Sequence, residues 1–170
     1  MSLSSPDLLV RLKEDGDGVT PSGNSTAALN GLRLGALTDR DAFTAAARKT
    51  LEFFSKALAE RPISMTKMLL ALDFLENGHL QVVIVGPSKR PDTRGLLETA
   101  YRLSPPGALI VPIDPQTTQK KLAKIISFIG PMTLLNGRAA AYVCIDHSCQ
   151  RPTDNDRELG DALTSSGRRN

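Results

Sequence analysis

The apolar residues of this chain change their spacing once, at Asn77-Gly78, and that change rules out both an all-helical and an all-β fold. From Pro21 to Gly78 they recur three and four residues apart, the spacing of a helix face. Beyond Gly78 they gather into short runs rich in Val and Ile, bounded by Gly and Pro, as strands do. A helical first part and a strand-bearing second part make the predicted class α+β.

Ser25 to Ala36 sets Ala28, Leu29, Leu32 and Ala36 on one stripe, and Asp41 to Ala59 repeats the pattern with Phe43, Ala46, Ala47, Thr50, Phe54 and Leu58. The two are predicted to form an antiparallel pair, with Thr38 or Asp39 as N-cap of the second. Pro62 ends that second helix, because its ring cannot continue one. A third helix, Ser64 to Leu75, turns Met65, Met68, Leu69, Leu72 and Leu75 inward, and Asn77-Gly78 supplies a left-handed stop.

Gln81 to Val85 reads as a strand buried on both faces, ended by Gly86-Pro87. A helix from Thr93 to Leu103 follows, with Asp92 as its cap, and Ala108 to Val111 is the next strand. Strand, helix, strand is the order of a right-handed crossover. Gln119 to Phe128 is a short basic helix or a loop of helical character, Ala139 to Ile145 a third strand and Asp154 to Leu163 a last helix. The predicted organisation is a helical unit over 1–78, a small α/β unit over 79–164 and a disordered tail over 165–170.

Composition narrows the function classes. Of 170 residues 41% are hydrophobic and 23% charged, ordinary usage for a globular chain, while aromatics are only 4% and Trp is absent. The core must therefore be aliphatic. Lys and Arg number 21 against 18 Asp and Glu, spread along the chain, so no basic footprint for nucleic acid is expected. No apolar run approaches the roughly 20 residues needed to span a bilayer, and no membrane partner is expected. MSLSSPDLL has neither the basic nor the apolar stretch of a secretory signal, and two cysteines make no disulfide framework. A reducing, cytoplasmic setting is the expectation.

Several segments in one order carry a resemblance: DLLVRLKEDGDG and PSGNS with its helix, then QVVIVGP with PDTRGLL, and last AAYVC with CQRPT. Together they cover nearly the whole chain. The chain resembles the C-terminal region of the long proteins typified by spermatogenesis-associated protein 20, which in bacteria are called thioredoxin-domain-containing proteins. The resemblance implies an N-terminal thioredoxin-like domain, an (α/α)6 toroid of the six-hairpin glycosidase and sugar-epimerase type, and an α/β appendage. Residues 1–78 would then be the last helical hairpins of the toroid, and the partners would be the rest of the toroid and the thioredoxin-like domain. Helices without those neighbours are expected to expose an apolar stripe and to self-associate. The function so implied is a noncatalytic region that completes the toroid; the alternative is a share in a carbohydrate-active site.

Each chemically suggestive cluster has two readings. Glu14-Asp15-Gly16-Asp17-Gly18 lacks the closing glutamate of a twelve-residue calcium loop, which leaves a structural loop or, at the toroid mouth that the resemblance implies, Asp15 or Asp17 in acid–base work. The resemblance places a glutamate immediately before Pro21, where this chain has Thr20. Ser22, Asn24 and Ser25 either bind a sugar hydroxyl or an anion at a helix N-terminus, or cap that helix while Gly23 admits a neighbouring chain. Gly86-Pro87-Ser88-Lys89-Arg90 either cradles a phosphate or simply connects strand to helix; Pro87 and Pro91 remove two donors from such a cradle.

Cys144-Ile-Asp-His-Ser-Cys149 admits packed thiols, a reversible redox pair, or metal ligation with His147. The expectation is two reduced thiols, Cys144 buried and Cys149 the more reactive. A fourth metal ligand is not evident, and neither a metal nor another cofactor is expected.

Overall fold

A computed structural model describes residues 16–145 and 148–166. Among the described residues three helices come first: α1 (Gly23–Thr38), α2 (Asp41–Glu60) and α3 (Thr66–Glu76), the last entered through a 3-10 turn at Pro62–Met65. The strand β1 (Leu80–Val85), the helix α4 (Pro91–Leu103) and the strand β2 (Leu109–Ile113) then form the crossover unit, with β1 and β2 parallel. After the short α5 (Gln119–Leu122) and a 3-10 turn at Ser127–Ile129 come β3 (Ala140–Ile145), β4 (Ser148–Cys149) and α6 (Asp156–Ser166). The sheet order is β2-β1-β3-β4, with β3 antiparallel to both neighbours. Among the described residues, six helices and one mixed sheet make this an α+β fold.

The aliphatic core falls into three clusters. Between α1, α2 and α3 lie Leu29, Leu32, Leu51, Phe54, Met65 and Met68, all buried. One face of the sheet presents Val82, Ile84 and Val143 to α4 and α6, where Leu96, Leu159 and Leu163 meet them. The other face presents Val83, Val85 and Cys144 to Ile113, Ile126 and Ile129. Val82 to Val85 are wholly buried, as the unbroken apolar run predicts. The α1/α2 crossing is close because Gly35 has no side chain where Thr44 packs; a Cβ there would collide with Thr44 Oγ1.

The helical part and the sheet are stitched together at the C-terminal end of α1. Gln81, 1% exposed, donates from Nε2 to the Ala36 carbonyl at 3.0 Å, and Leu37 packs into both the helical cluster and the Cys144 face of the sheet.

Several local expectations are corrected. Asp39 does not cap α2: it takes the left-handed conformation (φ 54°) and closes α1, its N–H bonding the Gly35 carbonyl. Arg40 precedes α2 without a side-chain cap. On α2 Ala47, Phe54 and Leu58 of the expected stripe are buried, but Ala46 is exposed and Leu51, outside that stripe, is buried. Pro112 does not end its strand, because β2 is an edge and a missing N–H on its open side leaves the ladder intact. Nor does Asp92 cap α4: Pro91 occupies the first helical position, which suits its fixed φ, and Asp92 falls inside the first turn. The last helix starts later than expected, after Asn155, whose Oδ1 accepts from the N–H groups of Arg157 and Glu158. It runs on to Ser166, through the start of the expected tail; 167–170 lie outside the described residues.

Candidate functional site

Asp17 is a clip between two helices. Its Oδ1 accepts from the Ser22 N–H at 2.8 Å, and its Oδ2 accepts from the Lys67 N–H at 2.6 Å and the Met68 N–H at 3.4 Å. Those last two are donors of the first turn of α3, which have no partner within the helix. Partial burial pushes the Asp17 carboxyl up, but the bonds from Ser22, Ser25, Lys67 and Met68 together outweigh it and hold the group below its ordinary value. Both oxygens are thus committed to the backbone, and neither is poised over open space for proton transfer. Asp15 and Glu14 lie outside the described residues.

Ser22 and Ser25 are both buried and belong to the same device. Ser22 is the N-cap of α1, its Oγ accepting from the Ser25 N–H at 3.0 Å and donating to Ser25 Oγ at 2.8 Å. Asn24 stands half-buried beside them, and Thr20 is exposed. Gly23 admits no neighbouring chain: a Cβ there would meet nothing within 4 Å.

Beyond the carboxyl ends of β1 and β2, Gly86 to Arg90 is locked by two aspartates. Asp92 accepts from the Ala139 N–H at 3.0 Å, from the Thr93 N–H and from Arg90 through Nε and Nη2, while Arg90 Nη1 donates to the Gly137 carbonyl. The Ala139 bond is the largest influence on Asp92, and with the Arg90 and Thr93 bonds it overcomes desolvation and lowers the carboxyl below its ordinary value. Asp114 accepts from Gln116 and Thr117 through Oδ1, and its Oδ2 lies 3.4 Å from the Ser88 N–H. The N–H groups of Ser88, Thr93 and Arg90 are all taken by the protein's own acceptors, so the loop is built as a connection.

Cys144 and Cys149 are register partners across β3 and β4 and are joined by a disulfide, with Cα atoms 3.9 Å apart. The expectation of two free thiols is corrected: β4 pairs antiparallel with β3, and that register sets the two residues opposite each other. The burial is as expected, with Cys144 1% exposed and Cys149 open to solvent. Bonded sulfurs are not the thiolates that a metal needs. His147 lies outside the described residues, among which no cluster of three or more His, Cys, Asp or Glu side chains gathers.

A cavity of 480 Å³ that sequence reasoning missed opens between α1, α3 and the amino ends of β1 and β2. Arg33, Lys67 and His79 line it beside Leu29 and Phe74, the His79 ring stacked on Phe74 with centroids 5.2 Å apart. Its volume suits a small molecule. Arg33 and Lys67 give it positive charge, and its one carboxylate, Asp73, accepts from Asn77 Nδ2 at 2.7 Å. Such a cavity can hold an anionic group. Its walls come from four separated segments, so no local motif announces it.

No family model matches the chain, and no solved structure matches it. Curated proteins do. Human spermatogenesis-associated protein 20 is 30% identical over 152 residues, covering 89% of this chain and 19% of the human protein. The chain is related to spermatogenesis-associated protein 20. The rat protein of that name is 29% identical over 153 residues, covering 90% of this chain and 19% of the relative. An uncharacterized protein of Caenorhabditis elegans is 30% identical over 156 residues, 90% of this chain and 20% of that protein. The chain therefore spans about a fifth of the length of spermatogenesis-associated protein 20.

Proposed function

We propose that the chain is a noncatalytic region of a larger protein of the spermatogenesis-associated protein 20 kind, in which α1, α2 and α3 complete a helical toroid and the sheet forms its appendage. The observation that carries this reading is a groove of 520 Å³ between α2 and α3, floored by Leu51, Leu58, Leu69, Leu72 and Leu75. Three helices bury one another's inner stripes, yet among the described residues this seam is lined by α2 and α3 alone. Phe53, Ile63 and Leu70 are exposed on the same helical part, at 61%, 90% and 49%. An open apolar groove marks an interaction face, and the extra length of the relatives is a source of helices to cover it. The commitment of Asp17 to backbone donors supports the noncatalytic part of the proposal, since acid–base work needs a group within reach of the reacting proton.

The test is an assay of the purified chain against sugar-epimerase and glycoside substrates. No turnover is expected; turnover that disappears on Asp17→Asn would establish the carbohydrate-active alternative.

A further inference from the structure

We propose that the Cys144–Cys149 bond is a thiol–disulfide exchange site, opened from the Cys149 side by an external dithiol. The bond is poorly placed to act as a staple. It spans five positions, whereas the entropy removed from an unfolded chain by a crosslink grows with the loop it closes. The loop is also held closed without it: β3 and β4 are paired, Gln150 N–H donates to the Val143 carbonyl at 2.9 Å, and Thr153 and Ala141 exchange both backbone bonds. What the bond does have is access from one side, because Cys149 is exposed while Cys144 is sealed against Val83 and Ile129 in the core.

That asymmetry dictates the chemistry. A thiolate arrives at Cys149 Sγ, the exposed sulfur; a new S–S bond forms there, the Cys144–Cys149 bond breaks, and Cys144 Sγ leaves with the electron pair and takes up a proton. The freed Cys144 thiol remains opposite Cys149 in strand register, so it re-closes on the mixed disulfide faster than a second monothiol arrives from solution. Only a dithiol escapes this reversal, since its own second thiol attacks the sulfur it has already bonded to Cys149. Cys149 is released as a thiol and the dithiol becomes a disulfide. Two electrons and two protons pass from the dithiol to the pair.

Cys144 is the register partner of Gln81, the residue whose side chain ties the sheet to the C-terminal end of α1. Opening the bond leaves β4 paired with β3 and frees a second thiol on the face of the sheet that meets the helical part.

The experiment treats the folded chain with dithiothreitol or with glutathione at equal thiol concentration, reads the pair by alkylation and mass spectrometry, and follows the fold by circular dichroism. Dithiothreitol is expected to reduce the pair with the dichroism unchanged, and glutathione to reduce it roughly tenfold less, through loss of its product to intramolecular re-closure. In single variants, C144S is expected to form a mixed disulfide on Cys149 with an aromatic disulfide reagent roughly tenfold faster than C149S does on Cys144, because access governs the rate. Reduction that requires denaturant, or that melts the fold, overturns the exchange site. Equal reduction by glutathione overturns the dithiol as partner, and equal labelling of the two variants overturns opening through Cys149.

Discussion

Gln81 Nε2 donates to the carbonyl oxygen of Ala36 across 45 positions of chain, at 3.0 Å and in a site closed to water. Ala36 lies in the last turn of α1, whose carbonyls have no acceptor role left within the helix. A side chain from the central strand thus completes the end of a helix from the other part of the molecule.

Gln81→Leu keeps the volume at this seam and leaves the Ala36 carbonyl without its partner. The expected cost is about 1–3 kcal/mol, the penalty for an unpaired buried group, measured by urea unfolding. A stability equal to wild type would show that the contact contributes nothing.

Acid should weaken the protein through Asp17 and Asp92. Both carboxyls are held below the ordinary 3.8 in the folded state, so the unfolded chain binds protons first as pH falls. Their contribution is fully present above the ordinary aspartate value and is lost as pH falls through the lowered folded values. Asp17→Ala and Asp92→Ala are each expected to cost about 1–2 kcal/mol at pH 7, since each strips backbone N–H groups of their acceptor. The combined variant should show a flatter fall in stability below about pH 4 than wild type. Parallel unfolding curves for the two proteins across that range would contradict the assignment.

The β1–α4 junction gives opposite expectations for two neighbouring residues. A Cβ on Gly86 would collide with Thr93 Oγ1 and stand 2.9 Å from Ala139 Cβ, so Gly86→Ala is expected to destabilise by about 1–3 kcal/mol through overpacking. Thr93 is 2% exposed, and its Oγ1 has no hydrogen-bond partner among the described residues. Thr93→Val removes that hydroxyl at constant shape and is expected to raise stability by up to about 1 kcal/mol. Thermal unfolding of the two variants checks both signs.

The elements of this fold were legible because periodicity is local: the switch at Asn77-Gly78, the buried run at Gln81 and the crossover order all follow from neighbours in sequence. Gly78 is left-handed (φ 74°), as a helix stop requires. What stayed hidden depends on long-range partners. Nothing near Asp17 in sequence announces Lys67 and Met68, so a carboxylate that caps α3 looks like a free acid. The same holds for Gln81 and Ala36, and for the walls of the Arg33 and His79 cavity. The pairing of Cys144 with Cys149 turned on whether the chain reverses immediately after β3, which a five-residue spacing leaves open.

Sedimentation velocity across a concentration series, with thermal unfolding of the same samples, decides whether the α2/α3 groove is an unfilled interface. The isolated chain is expected to self-associate as concentration rises. Leu72→Glu, placed in the groove on a half-buried position, should return it to monomer without changing its helical circular dichroism. A chain that stays monomeric at every concentration and unfolds cooperatively above about 65 °C, the top of the ordinary mesophile range, would contradict it.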